Sequence, residues 1–158
     1  HIIRKANSTD VKDILRLLIE LAVYEKDPDA VKITEKDLLE DGFRDNPRYE
    51  CFIAEINSEI VGLAFYTPRY STWDGKTLHL EDLVVTEKMR GKGIGLSLYK
   101  SFLKEAKKQG VNRVEWSVLD WNKPAINFYL KSGALIDDYS KWKIVRMNKS
   151  LIEKFLSS

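Results

Sequence analysis

Between Leu78 and Leu96 the chain reads LHLEDLVVTEKMRGKGIGL, and this stretch carries both a candidate base, Glu81, and a phosphate-binding pattern. Glu81 and Asp82 set two carboxyls in an otherwise apolar, strand-like run. Arg90-Gly91-Lys92-Gly93-Ile94-Gly95 follows, and a helical pattern starts at once, with Ile94, Leu98, Phe102, Leu103 and Ala106 on one side. The first N–H groups of a helix have no intrahelical partner, and the helix dipole makes that end partly positive. Glycines before it let the backbone come close to an anion, so the stretch reads as a cradle for a pyrophosphate.

The ATP/GTP loop requires G-x-x-x-x-G-K-[ST], whereas Leu96 and Ser97 follow the last glycine here. The dinucleotide fingerprint is G-x-G-x-x-G with an acid about 20 residues on. Here the glycines run G-x-G-x-G, with Asp120 in reach as a ribose acid. A dinucleotide-binding oxidoreductase therefore stays open as an alternative.

The pattern resembles the coenzyme A loop of the GNAT acetyltransferase superfamily, [Q/R]-x-x-G-x-[G/A], with Arg90, Gly93 and Gly95 in its fixed positions. Some 30 residues later, Trp121-Asn122-Lys123-Pro124-Ala125-Ile126-Asn127-Phe128-Tyr129 resembles that family's N-x-x-A-x-x-[F]-Y box. The nearest likeness is to spermidine/spermine and thialysine acetyltransferases. It is carried by Thr34–Phe43, by Leu80-Glu81-Asp82 and by Ile126–Tyr129, and it spans nearly the whole chain. It implies acetyl-CoA as cofactor, held by Leu83, Val84, Val85, Arg90, Gly91, Lys92, Gly93, Ile94, Gly95 and Leu96, and by Asn122, Lys123, Pro124, Ala125 and Ser132. It also implies a homodimer, and two central strands that splay apart near the cradle.

Acetyl transfer to an amine needs a base for the ammonium, a donor for the thioester oxygen and an acid for the departing thiolate. Burial in its strand would raise the pKa of Glu81 toward a useful base value. In a regular strand His79 shares that face and Asp82 points the other way. The resemblance makes Glu81 the base, often through water, and a backbone N–H near Leu83 the oxygen donor. The resemblance also makes Tyr129 the acid, a role open to a phenol, which is protonated at neutral pH. Ala125 and Tyr129, four apart, share a helix face. By resemblance Tyr24, Glu25 and Glu81, with Glu115, Trp116 and Ser117, meet a small cationic amine. The family's acid before the late tryptophan is missing, since Ser140-Lys141 precede Trp142. That departure leaves the acceptor open among spermidine, spermine, a diamine and thialysine.

These residues need a scaffold, and 158 residues suffice for one domain with a substantial core, read as a single acetyltransferase domain over 1–158. Strands are predicted at Ile2–Ala6, Tyr49–Ile56, Ile60–Tyr66, Lys76–Val85 (central), Arg113–Leu119, and finally at Ile136 and Trp142–Met147. Helices are predicted over Val11–Tyr24, Thr34–Phe43, Ile94–Gln109, Pro124–Lys131 and the tail from Lys149. Asn57-Ser58 makes a hairpin turn, and Thr67–Gly75 reads as a loop. The fold class is a mixed α/β sheet, mostly antiparallel and flanked by helices.

Cys51 stands alone, which gives neither a disulfide nor a metal cluster, and its alternation with Tyr49 and Ile53 places it in a buried strand. No secretory leader is visible and no apolar run is long enough for a membrane, so a cytoplasmic location is expected. Charge is uneven. Residues 1–89 carry 12 basic against 18 acidic side chains, and residues 90–158 carry 14 against 6. The acidic half suits a cationic substrate and the basic half a polyanionic cofactor. A nucleic-acid-binding module using the basic half is the remaining alternative.

Overall fold

A computed structural model describes residues 1–138 and 141–158. Ser140, read above as replacing a family acid, lies outside the described residues. The chain divides into two compact units, His1–Leu119 and Asp120–Ser158.

The first unit is built on a five-stranded sheet in chain order: β1 (Ile2–Lys5), β2 (Glu50–Ile56), β3 (Glu59–Ser71), β4 (Gly75–Val85) and β5 (Arg113–Glu115). All neighbours pair antiparallel except β4 and β5, which are parallel and joined through a helix. The expected mixed, mostly antiparallel sheet is therefore present, with β3 rather than β4 as its middle strand. Helix α1 (Val11–Tyr24) and helix α2 (Glu35–Gly42) cover one face, and helix α3 (Ile94–Gln109) packs on β2, β3 and β4. Alternation along the strands feeds both faces. Cys51, Ile53, Leu63 and Phe65 join Ile14, Leu17, Leu18 and Leu38 in one core. On the opposite face Tyr66 meets Phe102 of α3 at 5.3 Å between ring centres. Leu17 is fully buried. Truncating such a core leucine to alanine costs about 2–5 kcal/mol.

Local chemistry sets the element ends. Thr34 Oγ1 accepts from the Asp37 N–H at 3.2 Å, and Asp37 accepts from the Thr34 N–H at 2.8 Å. This reciprocal cap starts α2, with Asp in the place of the usual Glu. Asn57 and Ser58 both take positive φ (49° and 65°), the conformation a two-residue hairpin turn demands.

Two sequence expectations fail within this unit. Thr67–Gly75 is no loop, because the β3–β4 ladder continues through Thr67↔His79 to Ser71↔Gly75. Pro68 signals a loop, yet it is tolerated here because β2 pairing ends at Glu50↔Tyr66, leaving β3 an edge beyond that point. The strand expected to reach Leu119 stops at Glu115, since its ladder to β4 ends at His79↔Glu115. Just past that point β4 carries a bulge. Phe65 faces Asp82 and Tyr66 faces Leu80, so Glu81 is an extra residue.

The second unit holds α4 (Lys123–Lys131) and α5 (Lys149–Leu156). Among the described residues neither Ile136 nor Trp142–Met147 forms a strand. The apolar run WKIVRM looks strand-like, but a strand exists only through a pairing partner, and this unit offers none among the described residues. The tail is helical as expected, capped by Asn148, which accepts from the Leu151 N–H at 2.9 Å.

Candidate active site

The bulge at Glu81 decides which carboxyl is buried. Before it, Leu80 pairs with Tyr66 on the α3 face; after it, Asp82 pairs with Phe65 on the α1/α2 face. Asp82 therefore does not point away from Glu81 as a regular strand requires. Both line one cavity of about 320 Å³, with Asp37 and Asp41 of α2, Thr67, Phe65, Tyr49 and a single cation, Arg48. A neighbouring hollow of about 290 Å³ shares Leu18, Ile33 and Asp82 and adds Glu25 and Lys32.

Burial pushes the Asp82 carboxyl up to about 7, with the charges of Glu81 and Glu25 adding to it. The Glu81 side chain is 49% exposed, and its Oε1 lies 3.7 Å from His79 Nε2. His79 Nδ1 is buried with no hydrogen-bond partner among the described residues. Glu25 is also raised, by partial burial at the end of α1.

β4 leads straight into the cradle. Beyond His79 the β5-facing edge of Leu80–Val85, including Leu83, Val84 and Val85, has no strand partner among the described residues. The β4–β5 ladder thus ends before the residues that lead into the glycine loop. A 3-10 turn at Glu87–Met89 follows, anchored to α1. Glu20 accepts from the Thr86 hydroxyl and the Glu87 N–H, each at 2.9 Å. Gly91 and Gly93 take left-handed φ (75° and 77°), and a Cβ on either would meet nothing within 4 Å. That open space lies before the first turn of α3, formed by Ile94, Gly95 and Leu96 and lacking any acid. Lys92 stands exposed beside it. The residues present therefore fit a pyrophosphate.

Arg90 serves this loop from within. Its Nε donates to the Val85 carbonyl at 2.9 Å, and its guanidinium lies 4.7 Å over the Tyr24 ring. Tyr24, expected to meet the substrate, thus carries the arginine that braces the cradle.

Three other expected acceptor residues are not brought to the acid pair. Glu115 accepts from Arg69 at 2.7 Å and pairs with Arg113 at 3.2 Å, so its charge is already matched. Trp116 sets its ring edge-on to Tyr99 of α3, at 5.8 Å. Ser117 is exposed, and neither cavity above is lined by any of the three. Conversely, Asp37, Asp41 and Arg48 went unread as site residues. The spacing of Asp37 and Asp41, four apart on one helix face, is the signal that was there to find.

In the second unit Asn122 caps α4, accepting from the Ala125 N–H at 3.4 Å, with Lys123 and Pro124 opening the helix. Lys123 Nζ donates to the Asp120 carbonyl at 2.9 Å. Asp120 is thereby part of this turn. Tyr129 is buried and packs edge-on to Phe128 at 5.4 Å. The Ser132 hydroxyl donates to the Tyr129 carbonyl at 2.6 Å, closing the helix.

Residues 12–134 match the Acetyltransferase (GNAT) family model, a span that crosses both units. The bovine thialysine N-epsilon-acetyltransferase is 43% identical over 140 residues, covering 84% of this chain and 82% of that protein. The human spermidine/spermine N(1)-acetyltransferase-like protein 1 is 40% identical over 155 residues, 93% of this chain, but the chain spans only 22% of that protein's length. Among solved structures, an integron cassette protein from V. cholerae superposes with a TM-score of 0.78 at 24% identity, over 99% of this chain and 98% of that one. That likeness bears on the fold alone.

Proposed function

Because the chain belongs to the acetyltransferase (GNAT) family, we propose that it moves an acetyl group from acetyl-CoA to a primary amine of a small cationic acceptor: a polyamine, a diamine or a thialysine-like amino acid. It is an amine N-acetyltransferase, and neither the oxidoreductase nor the nucleic-acid alternative gains support. We read residues 1–158 as one acetyltransferase domain, acting as a cytoplasmic homodimer like the family it resembles.

The observation that carries this reading is the acid-lined cavity on β4, on the same strand that runs into the glycine cradle. Acetyl-CoA, when bound, supplies the activated thioester. The N–H groups at the start of α3, with Gly91, Gly93 and Lys92, hold its phosphates. Backbone N–H groups on the open edge of Leu83–Val85 stabilise charge on the thioester oxygen. Glu81, Asp82 and Glu25 attract the ammonium. The Glu81–Asp82 pair takes its proton, Asp82 having the pKa near neutrality that suits a base. Tyr129 is the proposed acid for the departing thiolate, and Asn122, Lys123, Pro124, Ala125 and Ser132 the further cofactor contacts.

Calorimetric titration with coenzyme A, NADH and duplex DNA in parallel tests the cofactor. Coenzyme A alone is expected to bind. Gly93→Asp, which sets a carboxylate against the pyrophosphate, is expected to weaken it at least tenfold. Unchanged coenzyme A affinity in that variant overturns the cradle assignment.

A further inference from the structure

The cavity proposed for the acceptor is lined by four acids, Asp37, Asp41, Glu81 and Asp82, and by one cation, Arg48. Arg48 is exposed, and its backbone is fixed there by its neighbours. Its N–H donates to the Asp41 carbonyl at 2.6 Å, tying the loop to the end of α2. The adjacent Tyr49 ring lies over Gly42, where a Cβ would come within 2.2 Å of the ring. The Tyr49 hydroxyl donates to the Leu38 carbonyl at 2.6 Å. A bare glycine and a buried tyrosine therefore fix the backbone from which Arg48 reaches the cavity wall.

Arg48 is also uncommitted. Among the described residues no carboxylate lies within 4 Å of its guanidinium, although Asp37 and Asp41 line the same cavity. Nearby Arg44, by contrast, pairs with Glu40 at 3.7 Å. A cation on the wall of a site for cationic substrates opposes them unless the substrate brings an anion to it. A guanidinium is the side chain best shaped to take a carboxylate in a paired fashion.

Resting on the amine-acetyltransferase reading above, we propose that Arg48 binds the α-carboxylate of the acceptor, so that the preferred substrate is an α-amino acid with a terminal amine rather than a polyamine. The carboxylate sits on Arg48 and the reacting amine reaches Glu81 and Asp82. Size does not separate the two classes. About 320 Å³ holds roughly ten water-sized groups, enough for a lysine-like amino acid or a short polyamine. The charge on Arg48 does separate them.

The test compares pairs that differ only in the carboxylate: lysine with cadaverine, and ornithine with putrescine, with acetyl-CoA as donor. The parent protein is expected to show the higher kcat/KM for the amino acid of each pair. Arg48→Gln is expected to lose roughly 10–100-fold in kcat/KM for the amino acids, mostly through KM, with the diamines unchanged or improved. Arg48→Lys is expected to recover part of the loss. A parent preference for the diamines, or an equal loss for both members of a pair, overturns the role of Arg48 while leaving amine acetylation intact. Absence of acetylation for every amine overturns the proposed function and this inference with it.

Discussion

At the scale of single residues, the account turns on one inserted position. The bulge at Glu81 sends Asp82 inward, where burial and two nearby acids raise its carboxyl to about 7. In the unfolded chain an aspartate ionises near a pH of about 4. Between those values the native state binds a proton that the unfolded chain does not, so Asp82 lowers stability as pH rises through that window. Asp82→Asn, neutral throughout, is expected to melt above the parent at pH 8, with the difference vanishing below pH 4. Thermal melts at both pH values check this, and a lower melting temperature at pH 8 contradicts it. For the proposed role of Asp82 in catalysis the direction reverses, since a base works only when ionised. Parent kcat/KM is expected to climb as pH rises through about 7. Asp82→Asn and Glu81→Gln are each expected to reduce kcat by roughly 10²–10⁴.

Tyr129 offers a second test at this scale. Tyr129→Phe keeps the ring packed on Phe128 and removes only the hydroxyl. We expect kcat to fall by roughly 10²–10⁴ with coenzyme A affinity kept, the sign of a lost general acid. Full activity in a folded variant assigns the proton to solvent instead.

At the scale of elements, stability is held by paired polar groups at the strand and helix ends. Asp10, almost wholly buried before α1, accepts from both terminal nitrogens of Arg4, at 2.8 and 3.0 Å, and from the Asn7 N–H at 2.7 Å. Burial alone would raise its carboxyl, but the Arg4 fork and the Asn7 N–H hold it below the usual carboxylate range. Its contribution is therefore present above the ordinary carboxylate pKa and lost as pH falls through the native value. Asp10→Asn is expected to cost about 1–3 kcal/mol at pH 7, measured by urea unfolding, and much less at pH 2.

Most elements were legible from the chain because their signals are local. The Thr34–Asp37 cap, the Asn57-Ser58 turn and the glycine start of α3 each announce themselves within four residues. The bulge does not. Its cause is the pairing of β3 with β4, so a period-two reading carries past Glu81 and places Asp82 on the wrong face. The same limit explains Thr67–Gly75, where a proline outweighed a ladder, and Trp142–Met147, where alternation had no partner strand. At the site, Glu81 and the glycine loop were readable as motifs, whereas the approach of Asp82 to Glu81 was not. Glu115 was not readable as spent, because Arg69, which takes it, lies 46 positions away.

At the scale of the whole chain, charge follows the division of labour. The acidic first part carries the cavity acids, and the basic part begins at Arg90 with the cradle. The surplus of 18 acids over 12 bases in residues 1–89, which supply the cavity lining, favours cations before any contact forms. Salt should therefore reduce kcat/KM for cationic acceptors more than for neutral ones. The central claim, acetyl transfer from acetyl-CoA to a small amine with more than one charged centre, is tested most directly by initial rates across an amine panel at one salt concentration. The account predicts acetylated product from diamines, polyamines or lysine-like amino acids, at kcat/KM values at least tenfold above those for neutral and purely anionic amines. Equal rates across that panel, or no product from any amine, would contradict it.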